Sequence, residues 1–446
     1  MPIRKQEVEI TDEYLAGLIQ NDRVGRNSDI RVFIETLDDI DGGLSIFIDG
    51  RWGSGKTVFV KEAVLALQCL HDTYKNTLGD DIKGAVGITL DGYSSKPGKT
   101  YLPMYYNAWE FDIYDNPIAS LLGLLIEEAN DDSYGKQLDV TPDKIMGVAS
   151  DVLKAIFSVG LKTNGIDFSN IAELVKSNDL LKSVKDIKAI NDKIEEVITI
   201  LLHERADKLV MFIDELDRCQ PAFAVQLLEQ IKFLFNMDNV IIVFSTNVSQ
   251  LAHTVQGFYG SGFNGEEYLT RYYDRKFLLK TVLPSEFLIA RGYSSDADYP
   301  HPIVRDFADA FSLSMRECLR YREDVDKLED KFWDNSNMSE KVFLFVFAPL
   351  IMAIKVKDND LFHRAINGDA SNELWEFAVN CDSVLTLLNQ NPDRVDVNSD
   401  EQLFLRVYQV CFAYTPGTTS FVRSRLGSDM NIPLIDSYRK ELFEIG

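Results

Sequence analysis

Eight consecutive residues, Gly50-Arg51-Trp52-Gly53-Ser54-Gly55-Lys56-Thr57, satisfy G-x-x-x-x-G-K-[ST] at every position. The chemistry that this order of types serves is the cradling of phosphate. Glycines admit backbone conformations closed to side-chain residues, so successive N–H groups can converge on phosphate oxygens. A helix opening at the loop adds the positive end of its dipole. Lys56 reaches the β- and γ-phosphates. Thr57 offers a hydroxyl to Mg²⁺, which prefers hard oxygen ligands and keeps most of its waters. The expected binding set is Gly50, Arg51, Trp52, Gly53, Ser54, Gly55, Lys56, Thr57 and Val58, with ATP and Mg²⁺ as its ligands. Such a pattern arises by chance in about one chain of this length in a hundred. Trp52 has two readings: stacking on a base, or wedging between the loop and a sheet.

A second grouping complements the first. Val210-Met211-Phe212-Ile213 closes a strand-like run and is followed by Asp214-Glu215. At a strand end beside the loop, Asp214 holds the water shell of Mg²⁺, and Glu215 orients and polarises an attacking water. A glutamate next to the aspartate favours a hydrolase over a kinase, which must keep water out. Asn247 directly follows another apolar run, VIIVFST, where a polar residue either senses the γ-phosphate or caps the next helix; Thr246 and Ser245 are its rivals.

The elements that must hold these residues follow from hydrophobic period. An amphipathic helix is expected over 28–43, a strand over 44–50 and a helix over 58–72, which is strand, glycine loop, helix. Residues 100–109 read as a strand and 117–206 as mostly helical. Then come a strand at 208–217, a helix at 223–236, a strand at 239–247 and a helix from 248. A loop is expected at 257–263, a helix over 266–277 and a last strand at 277–284. The strands are apolar throughout, as parallel strands buried on both faces are. Strands alternating with helices indicate an α/β fold, a parallel sheet sandwiched by helices. The expected domains are a core of 1–285, with a helical insertion at about 117–206, and a helical lid and C-terminal domain of 286–446.

Composition narrows the function. The 446 residues include 46 basic and 70 acidic ones, for a net charge of -24. Such acidity repels phosphate backbones and anionic lipid, and disfavours broad nucleic-acid or membrane binding. The cysteines (Cys69, Cys219, Cys318, Cys381, Cys411) are odd in number and form no CxxC pair, which suits free thiols in a reducing compartment. No start resembling a signal peptide and no apolar run of spanning length is present; the run 342–356 is short, carries Lys355 and is broken by Pro349. A cytoplasmic protein is the expectation.

Three blocks together resemble the KAP P-loop ATPases: GRWGSGKT, YYNAWEFD at 105–112 and VMFIDELDRCQP at 210–221. Members of that family typically show a tryptophan in the loop (here Trp52), an F-N-A-W block (here Asn107-Ala108-Trp109) and D-[DE]-L-D-R-C (here Asp214 to Cys219). The resemblance covers roughly 28–325. It implies an AAA+-like core with an additional strand, and a long insertion between the two motifs, where many members carry transmembrane helices. Here that region is amphipathic, with Asp151 and Lys154 inside it. By the same analogy, Arg271 or Arg275 completes a neighbour's site in a homo-oligomer, and Arg316 or Arg320 serves as a lid arginine; each reads equally as a surface charge. Asn107 and Trp109 are expected to buttress the sheet. The family includes a vertebrate membrane scaffold and bacterial proteins tied to phage exclusion.

The reading that results is an ATPase whose nucleotide state controls conformation or assembly and regulates a protein partner. A slow nucleotide switch or scaffold, a nucleic-acid-associated ATPase and a small-molecule kinase are the rivals.

Overall fold

The computed structural model describes residues 10–71, 79–91, 98–113, 117–129, 147, 187–203, 205–294, 300–332, 343–389 and 400–412. Most of the expected insertion therefore lies outside the described residues, as do Asp151 and Lys154. The chain divides into two units, Met1–Lys280 and Thr281–Gly446.

The first unit is built on a five-stranded sheet. Its strands are β1 (Leu44–Asp49), β2 (Tyr101–Asn107), β3 (Lys208–Asp214), β4 (Val240–Thr246) and β5 (Arg275–Leu278). Their order is β2-β3-β4-β1-β5, and every neighbouring pair is parallel. Each residue of β3 and β4 is buried, which explains why neither alternates polar and apolar types. The fold is thus α/β, a parallel sheet with helices.

β4 lies between β1 and β3, so the strand leading into the glycine loop and the strand ending in the acidic pair are not neighbours. Register then lines up the carboxyl ends. Asn107 is opposite Asp214, Asp214 opposite Ser245, and Asp49 opposite Thr246. Open parallel sheets bind ligands along this edge, outside the carboxyl ends of their strands.

Helices cover the sheet: α1 (Asp12–Gln20), α2 (Asn27–Asp38), α3 (Lys56–Leu70), α4 (Asp80–Asp91), the short α5 (Ala108–Phe111), α6 (Pro117–Ala129), α7 (Ile187–Leu202), α8 (Pro221–Ile231), α9 (Val248–Tyr259) and the short α10 (Gly265–Leu269). One layer is aromatic: Phe33 of α2 sits with its ring centroid 5.8 Å from those of Phe59 (α3) and Phe212 (β3), and 5.4 Å from Phe277 (β5). Elsewhere Phe47 of β1 stacks on Phe244 of β4 at 4.7 Å. Lys208, at the start of β3, donates to the carbonyls of Ile40, Asp41 and Gly42 and so anchors the chain that leaves α2.

Two local expectations need revision. α9 runs on to Tyr259, into the segment expected to be loop, and ends at Gly260, whose φ of 106° favours glycine. The helix expected over 266–277 breaks after Leu269 into a 3₁₀ turn, Thr270–Tyr272, and the last strand begins at Arg275. The cause is tertiary. The Asp274 carboxylate accepts from Ser45 N and Oγ, and Asp274 N donates to Ser45 O at 2.9 Å. These bonds hold the chain alongside β1, so Arg275 pairs with Ile46 as a strand residue.

The second unit is helical in its described residues: α11 (Pro284–Ile289), α12 (His301–Ala310), α13 (Met315–Phe332), α14 (Ala348–Lys357), α15 (Asn359–Ile366), α16 (Ser371–Ala378), α17 (Asp382–Asn389) and α18 (Asp400–Phe412). Within the apolar run, Phe343–Phe347 form a π-helical turn leading into α14, and the residues from Phe345 to Ile354 are buried in this unit's core. Pro349 is tolerated in the first turn of α14, where its missing N–H has no intrahelical partner. No described helix is long and apolar enough to cross a membrane.

Candidate functional site

The glycine loop leaves β1 at Asp49 and enters α3 at Lys56. Gly53 (φ 79°) and Gly55 (φ 84°) both occupy the left-handed region, which is why the loop needs glycine there. A Cβ on Gly50 would lie 2.8 Å from Ser54 Oγ, so a side chain there would require the Ser54 hydroxyl to turn away. The first-turn N–H groups of α3 lack intrahelical acceptors by construction and face the end of the loop.

Lys56 is buried, and its Nζ donates to the carbonyls of Gly50 (2.5 Å) and Arg51 (3.2 Å), folding back under the loop. Burial pushes its pKa down, against the pull of Asp217, Asp214, Glu215 and Asp49. Thr57 Oγ1 donates to Glu215 Oε1 at 3.1 Å, so the two motifs meet directly despite their distance in sequence.

Asp214 is almost wholly buried. Its Oδ2 accepts from Tyr105 OH (3.1 Å) and its Oδ1 from Glu215 N (3.0 Å). Burial raises its pKa, while these hydrogen bonds act the other way. Glu215 has a positive φ of 61°, an uncommon conformation for a residue with a side chain. Burial and then the neighbouring Asp214 charge raise its pKa, and Arg218 opposes the rise. Arg218 pairs with Glu215 Oε2. Its guanidinium also lies over the Trp109 ring, 5.9 Å from the centroid.

Trp52 neither wedges under the loop nor packs into the core. It is half-exposed and its Nε1 donates to Asp217 Oδ2 at 2.6 Å. The other oxygen of Asp217 accepts from Thr246 Oγ1 at 3.0 Å. One buried carboxylate thus joins the loop to the ends of β3 and β4. Trp109, expected to buttress the sheet, is instead 54% exposed. Asn107 stands beside Asp214, with an Oδ1 that is buried and meets no donor among the described residues.

Other expected residues lie at a variety of places. Asn247 Oδ1 accepts from Gln250 N and caps α9. Arg51 is exposed, and Val58 is partly buried in the first turn of α3. Arg271 is exposed on the 3₁₀ turn and Arg275 is exposed on β5. In the second unit, Arg316 is exposed in the first turn of α13, behind a capping box: Ser314 N donates to Glu317 Oε2 (2.6 Å) and Glu317 N to Ser314 Oγ (3.3 Å). Sequence reasoning left Arg26 and Tyr105 unassigned and read Asp217 and Arg218 as an ion pair, local or between subunits, whereas Arg218 pairs with Glu215 and Asp217 bridges Trp52 and Thr246. The D-[DE]-L-D-R-C block contained Asp217, but nothing in its spacing tells which side chain it meets.

The residues present fit a magnesium-bound nucleotide. The loop holds Gly53 and Gly55 in left-handed conformations and opens α3 at Lys56, and around it the hydroxyl of Thr57 and the carboxylates of Asp214 and Glu215 supply hard oxygen donors. The acidic groups outnumber Lys56, an imbalance that a divalent cation offsets. No curated protein sequence matches the chain. The model of the KAP family P-loop domain matches residues 26–284, from just before α2 to the start of α11, and includes every strand of the sheet. With the glycine loop, the acidic pair and the intervening fourth strand in place, the chain belongs to the KAP family of P-loop NTPases.

Proposed function

We propose that the chain binds ATP with Mg²⁺, hydrolyses it, and uses the nucleotide state to change its conformation or its assembly with further copies, so regulating a protein partner. The observation that carries this reading is the meeting of Lys56, Thr57, Asp214 and Glu215 at one end of the sheet. Bound Mg²⁺ supplies charge neutralisation at the phosphate oxygens. Thr57 Oγ1 and Asp214 are the residues that hold it, and Lys56 Nζ exchanges the carbonyls of Gly50 and Arg51 for phosphate oxygens. Glu215 takes a proton from the attacking water as the water oxygen bonds to the γ-phosphorus and the bond to the β,γ-bridging oxygen breaks. A carboxyl with a raised pKa suits that role. Arg271, Arg275 and Arg316 are candidates for completing the charge balance, the first two from a neighbouring copy, and Asn247 or Thr246 for sensing the γ-phosphate. Phage exclusion is the biological context that the family resemblance suggests.

A slow switch is the second reading, and one observation favours it. Both carboxylate oxygens of Glu215 are engaged, one by Thr57 and one by Arg218, so neither is free to receive a water proton until those bonds open.

Phosphate release from ATP-Mg, measured over a wide range of protein concentration for the wild type beside Glu215→Gln, tests both. Turnover that rises with concentration and falls at least about a hundredfold in the variant is expected for hydrolysis at an assembled site. Tight ATP binding with negligible turnover in both proteins would leave the switch as the function.

A further inference from the structure

Arg26 precedes α2 and is 2% exposed, yet it belongs to no motif. Its guanidinium makes three bonds. Nη2 donates to Ser54 O in the glycine loop (2.9 Å); Nη1 donates to Lys280 O (2.6 Å) and to Asp29 Oδ2 (2.8 Å). The same Asp29 oxygen accepts from Lys280 N at 3.2 Å. Both backbone polar groups of Lys280, the last residue of the first unit, are therefore held by the Arg26–Asp29 pair.

The bond to Ser54 has a consequence for the loop. In a trans peptide the carbonyl and the next N–H point in opposite directions. Holding Ser54 O on the Arg26 side turns the N–H of Gly55 away from Arg26 and leaves it free of that cluster. Gly55 can take this orientation because its φ is 84°. A planar, permanently charged fork is the side chain that can meet carbonyls from two separate segments and a carboxylate at once, which a lysine cannot reproduce.

The geometry points to Arg26 as a positioning residue that sets the Ser54–Gly55 peptide for phosphate and ties that peptide to Lys280, so that phosphate binding is felt where the chain leaves the sheet unit. The inference rests on the nucleotide-binding reading above. It gives Arg26 no contact with the reacting atoms.

The test uses the full chain as wild type, Arg26→Lys, Asp29→Ala and Lys56→Ala, each checked by circular dichroism and melting. Two quantities are read: the Kd of a fluorescent ATP analogue with Mg²⁺, and the amide exchange rate of the segment around Lys280 with and without that nucleotide. In the wild type, nucleotide is expected to slow exchange at Lys280; nucleotide binding with no such change would overturn the coupling. Arg26→Lys is expected to bind about tenfold more weakly, the loss of a charged hydrogen bond, and to lose the exchange response. Asp29→Ala removes the acceptor of Lys280 N but leaves Ser54 O within reach of Arg26 Nη2, so it should bind within about twofold of the wild type and still lose the response. This split is one that general destabilisation does not produce. Arg26→Lys binding like the wild type, or a response preserved in both variants, would overturn the role of Arg26 while Lys56→Ala still loses binding. Absence of binding by the wild type would overturn the nucleotide reading and this inference with it.

Discussion

Asp214 shows what the site costs the fold. It is buried, and its pKa is raised from an ordinary value of 3.8, so the folded state favours the protonated form. Below the unfolded pKa both states are protonated and nothing is lost. As pH rises from there through the folded pKa, the native state holds the proton longer than the unfolded one, and stability falls. The same sign applies to Glu215, from an ordinary value of 4.5. Asp214→Asn removes the ionisation, while its Oδ1 still accepts from Glu215 N and its amide can donate to the Tyr105 hydroxyl. Without Mg²⁺ it should melt a few degrees higher at neutral pH, the response of a large domain to about 1 kcal/mol. The advantage should vanish near pH 4 while hydrolysis is lost at every pH. Melting curves from pH 4 to 8 check this; a variant less stable at neutral pH would show that the carboxylate is satisfied rather than strained by burial. Asp217 is a different case: its two oxygens are used by Trp52 and Thr246, so it ties the glycine loop to the end of β4.

At the scale of elements, β4 is decisive. By separating β1 from β3 it widens the gap between the glycine loop and the acidic pair, and it brings Ser245 and Thr246 to the same edge. β3 is held in this place by packing as much as by its ladders. Phe212, two residues before Asp214 and on the same face, is fully buried against Phe33. Phe212→Ala should lose about 3–5 kcal/mol, the usual cost of emptying an aromatic site in a core. Urea unfolding followed by circular dichroism measures it. A loss below about 1 kcal/mol would mean that the layer of Phe33, Phe59 and Phe277 closes over the vacancy.

At the scale of the whole molecule, charge is the property that the fold does not change. With a net charge of -24 the chain repels polyanions at long range. Fluorescence anisotropy with a labelled duplex or single strand at about 50 mM salt, where electrostatic binding is strong, should show no saturable binding. A steep salt-dependent affinity would reinstate the nucleic-acid reading and direct attention to a local basic surface. The two units have separate hydrophobic cores, and the family match covers the sheet unit from Arg26 onward and ends at Pro284, four residues into the second.

The glycine loop, the acidic pair and the central strands were legible in the chain because each depends on local order. A phosphate loop is contiguous by necessity, and strands buried on both faces are continuous apolar runs. The family could be read from three short blocks for the same reason. The break in the helix expected over 266–277 was not legible, since Asp274 is held beside β1 only through Ser45, far earlier in the chain. Nor did any local signal show that Thr57 meets Glu215, that Trp52 meets Asp217, or that Arg26 reaches both Ser54 and Lys280. Those contacts join segments distant in sequence, and a sequence order can require that a charge be satisfied without naming its partner. That choice belongs to the tertiary structure, because only strand order and register decide which side chains share the edge of the sheet.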